Sequence, residues 1–267
     1  MANTAVTEAK STNLVPDGLM DIFEENAGAG LQNIGAEQMQ IPFVRILQAL
    51  SPQLNKEKPD YIKGASQGDI FNTVTGEIYP EETGVTVIPV AFEMKYLEFV
   101  PRSQGGGLVA EIPASSPDLN NTYREGPAEI LPSGNELVRC HQHLVMVYNP
   151  ETGDCTPAVL DMKKTQLKVS KKWNAQRTNI TAMGKKGPFT LPIYGTAWKI
   201  TTVSESNDQG TWYNFRIVRE TNVTEELSAG MLRAKEMADS FQKGEIKTAA
   251  GTSDEMQQAT KTDDVPF

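Results

Sequence analysis

Four side chains with metal-binding or nucleophilic chemistry stand close together in the chain: Cys140, His141, His143 and Cys155. Two thiolates and two imidazoles are a ligand set for zinc, which needs four donors around one point. Their spacing works against it. Residues 137–148 alternate as a strand, with Cys140, Leu144, Met146 and Tyr148 on one face and Arg139, His141 and His143 on the other. The turn Asn149-Pro150-Glu151-Thr152-Gly153-Asp154 leads into a second strand from Cys155. Tyr148 then pairs near Cys155, and Cys140 lies about eight residues, or roughly 26 Å, along the ladder. Cys140 also points away from both histidines, so no metal is expected. Gly28-Ala29-Gly30 has no preceding strand and no correctly placed third glycine, and Gly184-Lys185-Lys186 lacks the remaining parts of a phosphate loop. A metal-dependent nuclease would need carboxylates beside its basic surface, and there are none where the bases cluster. We therefore expect neither an enzyme nor a cofactor.

The bases themselves carry the strongest signal. The 267-residue chain has 34 acidic and 25 basic residues, a net charge of −9 that taken alone argues against a polyanion partner. Yet residues 162–204 contain no acid and carry Lys163, Lys164, Lys168, Lys171, Lys172, Arg177, Lys185, Lys186 and Lys199. That window is +9 in a remainder of −18. Phosphate binding draws on local positive charge and counterion release, and a locally basic, globally acidic chain supplies it. All three tryptophans lie in or just after the window (Trp173, Trp198, Trp212), with Phe189, Tyr194, Tyr213 and Phe215. Bases interleaved with aromatics suit single strands, whose unstacked bases can lie on flat side chains. Trp173 is an exception. Met162, Val169, Trp173 and Ile180 recur at near-helical spacing, so Trp173 is expected to anchor a helix to the core.

The elements that must position these residues can be read in order. Residues 1–35 read as a flexible acidic arm with a short helix near 19–25. Pro42 opens an amphipathic stretch with Phe43, Ile46, Leu47 and Leu50 on one face. A short strand follows at 69–74. Residues 85–100 form a long strand bent at Pro89. Residues 101–136 read as a long loop carrying Arg102, Tyr123 and Arg124. The hairpin of 137–148 and 155–162 comes next, then a basic helix over 162–182. Two further strands span 189–203 and 211–219, and a helix opens at Thr224 with Leu227, Met231, Ala234, Met237 and Phe241 along one face. Bent strand, hairpin, helix, hairpin is the order of an OB-fold, whose strands two and three bind oligonucleotides. The expected fold is mainly β: an OB-fold-like five-stranded barrel over residues 36–243, with flanking helices and extra strands. In that mapping Arg139, His141 and His143 face the ligand. On the last strand Tyr213, Phe215 and Ile217 face the core while Trp212, Asn214 and Arg216 face out, Trp212 to stack and Arg216 to hold phosphate.

Residues 244–267 read as a disordered tail ending Asp263-Asp264-Val265-Pro266-Phe267. A terminal Phe beside its own carboxylate can enter an apolar pocket ringed by cations, and Pro266 lowers the entropy lost on docking. This ending resembles the acidic tip of bacterial and bacteriophage single-stranded-DNA-binding proteins, and the larger folded part resembles the phage-encoded branch. The resemblance implies sequence-independent binding of single-stranded DNA during replication, recombination or repair. It also implies recruitment of partner proteins through residues 263–267, and a tip that competes weakly with DNA. A homo-oligomer is allowed, but the bacterial tetramer is not carried over. The alternatives are a strand-annealing recombination protein and an adaptor docking an acidic protein. No apolar run is long enough to span a membrane and no export signal is present, so the expected location is the cytoplasm, that of the host for a phage protein.

Overall fold

The computed structural model describes residues 18–26, 29–30, 40–208 and 210–251. Residues 1–40 form one unit, in which α1 (Met20–Glu25) is the described helix, close to the expected position. The second unit, residues 41–267, is mainly β.

Its axis is β4 (Val85–Phe99). The β-branched run at its start favours extended backbone, and a bulge between Pro89 and Ala91 accommodates the missing N–H of Pro89. β4 pairs along nearly its whole length with β8 (Glu136–Tyr148), which forms a hairpin with β9 (Cys155–Lys163). Tyr148 pairs with Cys155, and Cys140 pairs with Lys163, as the hairpin reading expects. The other edge of β4 meets β12 (Trp198–Asn207), which pairs with β13 (Gly210–Arg219). The resulting order β9-β8-β4-β12-β13 is that of an OB-fold.

No ladder joins β9 to β13 among the described residues. The segment around β1 (Val44–Ile46) stands in that gap. Phe43 bridges Val159 in parallel, and Arg45 forms an ion pair with Asp161 at 2.9 Å. On the other side the Gln48 amide exchanges two 2.9 Å hydrogen bonds with the Tyr213 backbone. The amphipathic stretch expected from Pro42 onward thus holds a short strand, and its four apolar residues do not share one buried face. Phe43, Ile46 and Leu47 are buried as expected, but Leu50 is exposed. β1 also pairs with β2 (Ile70–Asn72), the expected short strand, which pairs with β3 (Ile78–Tyr79).

Residues 101–136 are not one loop. They hold β5 (Leu108–Ile112) on the edge of β4, and β6 (Tyr123–Glu125) and β7 (Ala128–Ile130) beyond β8. Glycines at positive φ punctuate these turns, and the alternation within each strand is too short to read as a period. The basic helix is α2 (Leu167–Thr178), shorter than expected. The stretch expected as one strand over 189–203 holds only the end of β11 (Gly187–Thr190), which forms a small hairpin with β10 (Thr181–Gly184), and then β12.

Two helices cover opposite faces of the β4–β8 ladder. Trp173 of α2 packs among Val87, Val145, Leu160, Trp198, Ile200 and Phe215 on the inner side. α3 (Glu225–Gln242) lies on the outer side against Ile88, Val90, Leu144, Met146 and Val159. The Thr224 hydroxyl accepts from Leu227 N and Glu225 and Glu226 occupy the first turn, a cap and charge arrangement that starts a helix. Residues 244–251, assigned from sequence to the tail, are bonded to the outer face. The buried Lys95 ammonium donates to the Thr248 carbonyl at 2.9 Å, and Gln142 donates to the Ala249 carbonyl at 2.8 Å. The tip, residues 263–267, lies outside the described residues, as do most of the expected N-terminal arm and Gly28.

Candidate nucleic-acid interface

Residues 168, 172 and 176 fall at i, i+4 and i+8 along α2, so Lys168, Lys172 and Gln176 share one side of the helix. That side forms one wall of a cleft of about 810 Å³. The opposite wall is the end of β13, with Arg216 and Arg219. Val169, Ile180, Trp173, Trp198, Val203, Phe215, Ile217 and Val218 make an apolar floor. Four cations line the cleft, and no Asp or Glu does among the described residues. Lys168 and Lys172 repel each other one turn apart, and α2 has no acid in its first turn. An anion in the cleft relieves both. One carboxylate stands near the rim. Glu205 accepts from Lys168 at 2.8 Å and from Asn214 Nδ2 at 3.0 Å, and these bonds, Lys168 first, hold its pKa below the usual value.

Of the residues singled out from sequence, Lys168, Lys172 and Arg216 meet in this cleft, and Trp198 lies in its floor. Arg219, Gln176, Val203 and Val218 are missed. Arg219 lies three residues after Arg216 at the strand end, where the simple alternation used to assign faces no longer sorts the residues that line the cleft. Trp198 is buried at 2 % exposure, with its indole N–H donated to Thr196, so it packs rather than stacks. Trp173 is buried as expected. Phe215 is core as expected, but Asn214 is buried as well, held by Glu205 and the Thr165 carbonyl. Trp212 is half-buried and donates to Glu205 at 3.2 Å. Arg216 is exposed.

The face expected to meet ligand is covered instead. His141 and His143 turn inward beneath α2, because their strand face is the one on which α2 packs. The buried Ser170 hydroxyl lies 2.8 Å from His141 Nδ1 and 2.7 Å from His143 Nε2. Arg177 Nη2 is 3.2 Å from His143 Nδ1, which must therefore be the unprotonated nitrogen. His143 Nε2 then donates to Ser170, and Ser170 donates to His141. Burial pushes the pKa of both imidazoles down, that of His143 far down. Arg177 is itself buried and stacked on Trp173 at 4.3 Å; it has no carboxylate partner among the described residues, and burial lowers its pKa to about 10. Arg177 is thus a member of this network and not an exposed phosphate ligand.

The remaining predicted residues are dispersed. Arg139 is held by both Glu129 oxygens. Its partner Tyr96 is nine residues along β4 from Val87, the partner of Trp198, or roughly 30 Å from the cleft end of the sheet. Tyr123 and Arg124 are exposed on β6 and Arg102 in the turn after β4. Lys163 pairs with Asp161, and Lys164, whose φ of 51° turns the chain from β9 toward α2, pairs with Glu136. Tyr194 packs against the α3 cluster. Lys171 is exposed on α2, Lys199 is half-buried on β12, and Lys185 and Lys186 form the tip of the β10–β11 hairpin.

The fold and this cleft define a mainly β chain with OB strand order and a cation-lined groove between its helix and its last strand. The chain belongs to the Pam3 phage gp34-like protein family, whose profile matches residues 9–247. No curated protein and no solved structure matches it. No described helix is long and apolar enough to cross a membrane.

Proposed function

We propose that the protein binds single-stranded DNA without sequence preference during phage replication or recombination. The strand lies in the α2–β13 cleft, and residues 263–267 recruit partner proteins. The observation that carries this reading is the cleft itself: among the described residues, four cations and no acid line it over an apolar floor. Lys168, Lys172, Arg216 and Arg219 neutralise phosphates. The floor has a use only for exposed base faces, which a duplex hides within its stack. Aliphatic side chains read no hydrogen-bond pattern, so sequence preference is weak. The buried tryptophans support the floor without stacking on bases, so phosphate contacts supply most of the affinity.

The test is fluorescence anisotropy with labelled oligo-dT and a duplex of equal length at two salt concentrations. The single strand is expected to bind more tightly. The slope of log affinity against log salt should be about −3, from about −0.7 for each of four phosphates. Lys172→Glu with Arg216→Glu should abolish binding without changing Tm, and removal of residues 263–267 should leave binding unchanged or tighter. Equal affinity for duplex and single strand, or preference for an acidic protein over oligonucleotide, overturns the reading.

A further inference from the structure

We infer that the β10–β11 hairpin is a wedge for the junction between single-stranded and double-stranded nucleic acid; this rests on the reading of the cleft above. The hairpin pairs with no other strand among the described residues. Its base is tied to the cleft, because Ile180, a floor residue, accepts a 2.9 Å hydrogen bond from Leu191 N. Gly187 takes the positive φ of the turn at 113°, and Lys185 and Lys186 form the tip.

The sides of the hairpin are unusual for a ribbon in water. Met183 pairs with Pro188 on one face, and Met183 is 79 % exposed. Phe189 lies on the other face over Gly184 and is 46 % exposed. Neither belongs to a buried cluster, and an isolated two-stranded hairpin gains little from folding alone. A platform for one base needs apolar surface on the side facing the groove only. Apolar groups on both faces of a projecting ribbon, behind a dibasic tip, fit a body inserted between two strands. Each face then meets the first unpaired base of one strand, while the two lysines reach the flanking phosphates. The tip lies in a stretch of 43 residues without an acid, which favours a polyanion over an acidic protein surface as the occupant.

Three probes with the same single-stranded length test this: oligo-dT alone, oligo-dT joined to a duplex, and a forked duplex carrying 2-aminopurine at the last base pair. The intact protein is expected to bind the fork about tenfold more tightly than oligo-dT and to raise 2-aminopurine fluorescence as the pair unstacks. Met183→Ser with Phe189→Ser should bring fork and oligo-dT affinities together and abolish the fluorescence rise. Tm and oligo-dT affinity should stay unchanged in that variant. Lys185→Ala with Lys186→Ala should reduce the fork preference and its salt dependence. Oligo-dT binding with no fork preference in the intact protein, or a preference that survives the Met183/Phe189 substitutions, overturns the wedge alone. Failure to bind any of the probes overturns the cleft reading with it.

Discussion

The two faces of the β4–β8 ladder are covered by helices held in different ways. α3 lies on the outer face through Leu227 and the small residues Gly230, Ala234 and Ala238, which let the helix approach closely. A Cβ on Gly230 would stand 2.5 Å from Cys155 Sγ and 2.9 Å from Ile88 Cδ1. α2 covers the inner face with one large ring, Trp173, and a chain of hydrogen bonds through Arg177, His143, Ser170 and His141. Its outward side carries Lys168, Lys171 and Lys172, and α2 itself has no acid. The outer face is therefore closed by shape, and the inner helix is fixed by one fully buried ring plus polar contacts that leave a charged groove beside it. The expected ligand face of strands two and three, which carries His141 and His143, is the one that α2 covers, while α3 and residues 244–251 cover the opposite face. The groove lies instead between α2 and the end of β13.

The contrast breaks most severely at Trp173. Trp173→Ala should cost about 3–5 kcal/mol, remove the cleft floor and lower both Tm and DNA affinity. Comparable Tm values for variant and parent would show that α2 is held by its polar chain alone. On the outer face Gly230→Ala should cost about 1–3 kcal/mol by overpacking, yet leave oligo-dT affinity within twofold, because α3 does not line the cleft. A loss of DNA binding at unchanged Tm would place α3 in the interface and reverse the assignment of the two faces.

How much of this was legible depends on the range over which each signal acts. The β8–β9 hairpin was readable to the residue, because the alternation and the turn at 149–154 are local. The apolar face of α3 and the role of Trp173 were readable from helical period. The facing of His141 and His143 was not. Alternation correctly separates them from Cys140, but which face receives α2 and which receives α3 is set by the order of packing, which no local pattern carries. The same limit hid β5, β6 and β7, strands of three to five residues in a Gly- and Pro-rich stretch. At the cleft the charge run disclosed α2. Arg219, Val203 and Val218 come to it only through the β12–β13 pairing.

Acid should separate the two faces next. Folding keeps His141 and His143 neutral, with pKa values below those of the unfolded chain. Below about pH 6.5 the unfolded chain takes up protons that the folded one does not, so stability falls as pH falls. One pH unit below that point His143 alone should cost about 1.4 kcal/mol. The Tm should therefore drop between pH 7.5 and 5.5, above the range where carboxylates titrate, and His143→Gln should flatten the drop. An identical pH profile in the variant would mean that the imidazole chain does not fix α2.

The smallest effect sharpens the comparison at the rim of the cleft. Glu205 draws Lys168 to itself at 2.8 Å, and Asn214 and Trp212 hold the carboxylate in place. The ion pair is exposed on the lysine side and contributes roughly 0–1 kcal/mol to stability, so its loss should barely move Tm. Its effect on an arriving phosphate is larger in kind, since Glu205 both repels the anion and occupies one of the four cations that would bind it. Glu205→Gln keeps the hydrogen bonds to Asn214 and Trp212 within reach of the amide oxygen and removes the charge. Affinity for oligo-dT should rise a few-fold at low salt, and the gain should shrink as salt screens the cleft. A weaker complex in the variant would mean that Lys168 must be held by Glu205 to be useful, and that the carboxylate orients the cleft's cation instead of competing for it.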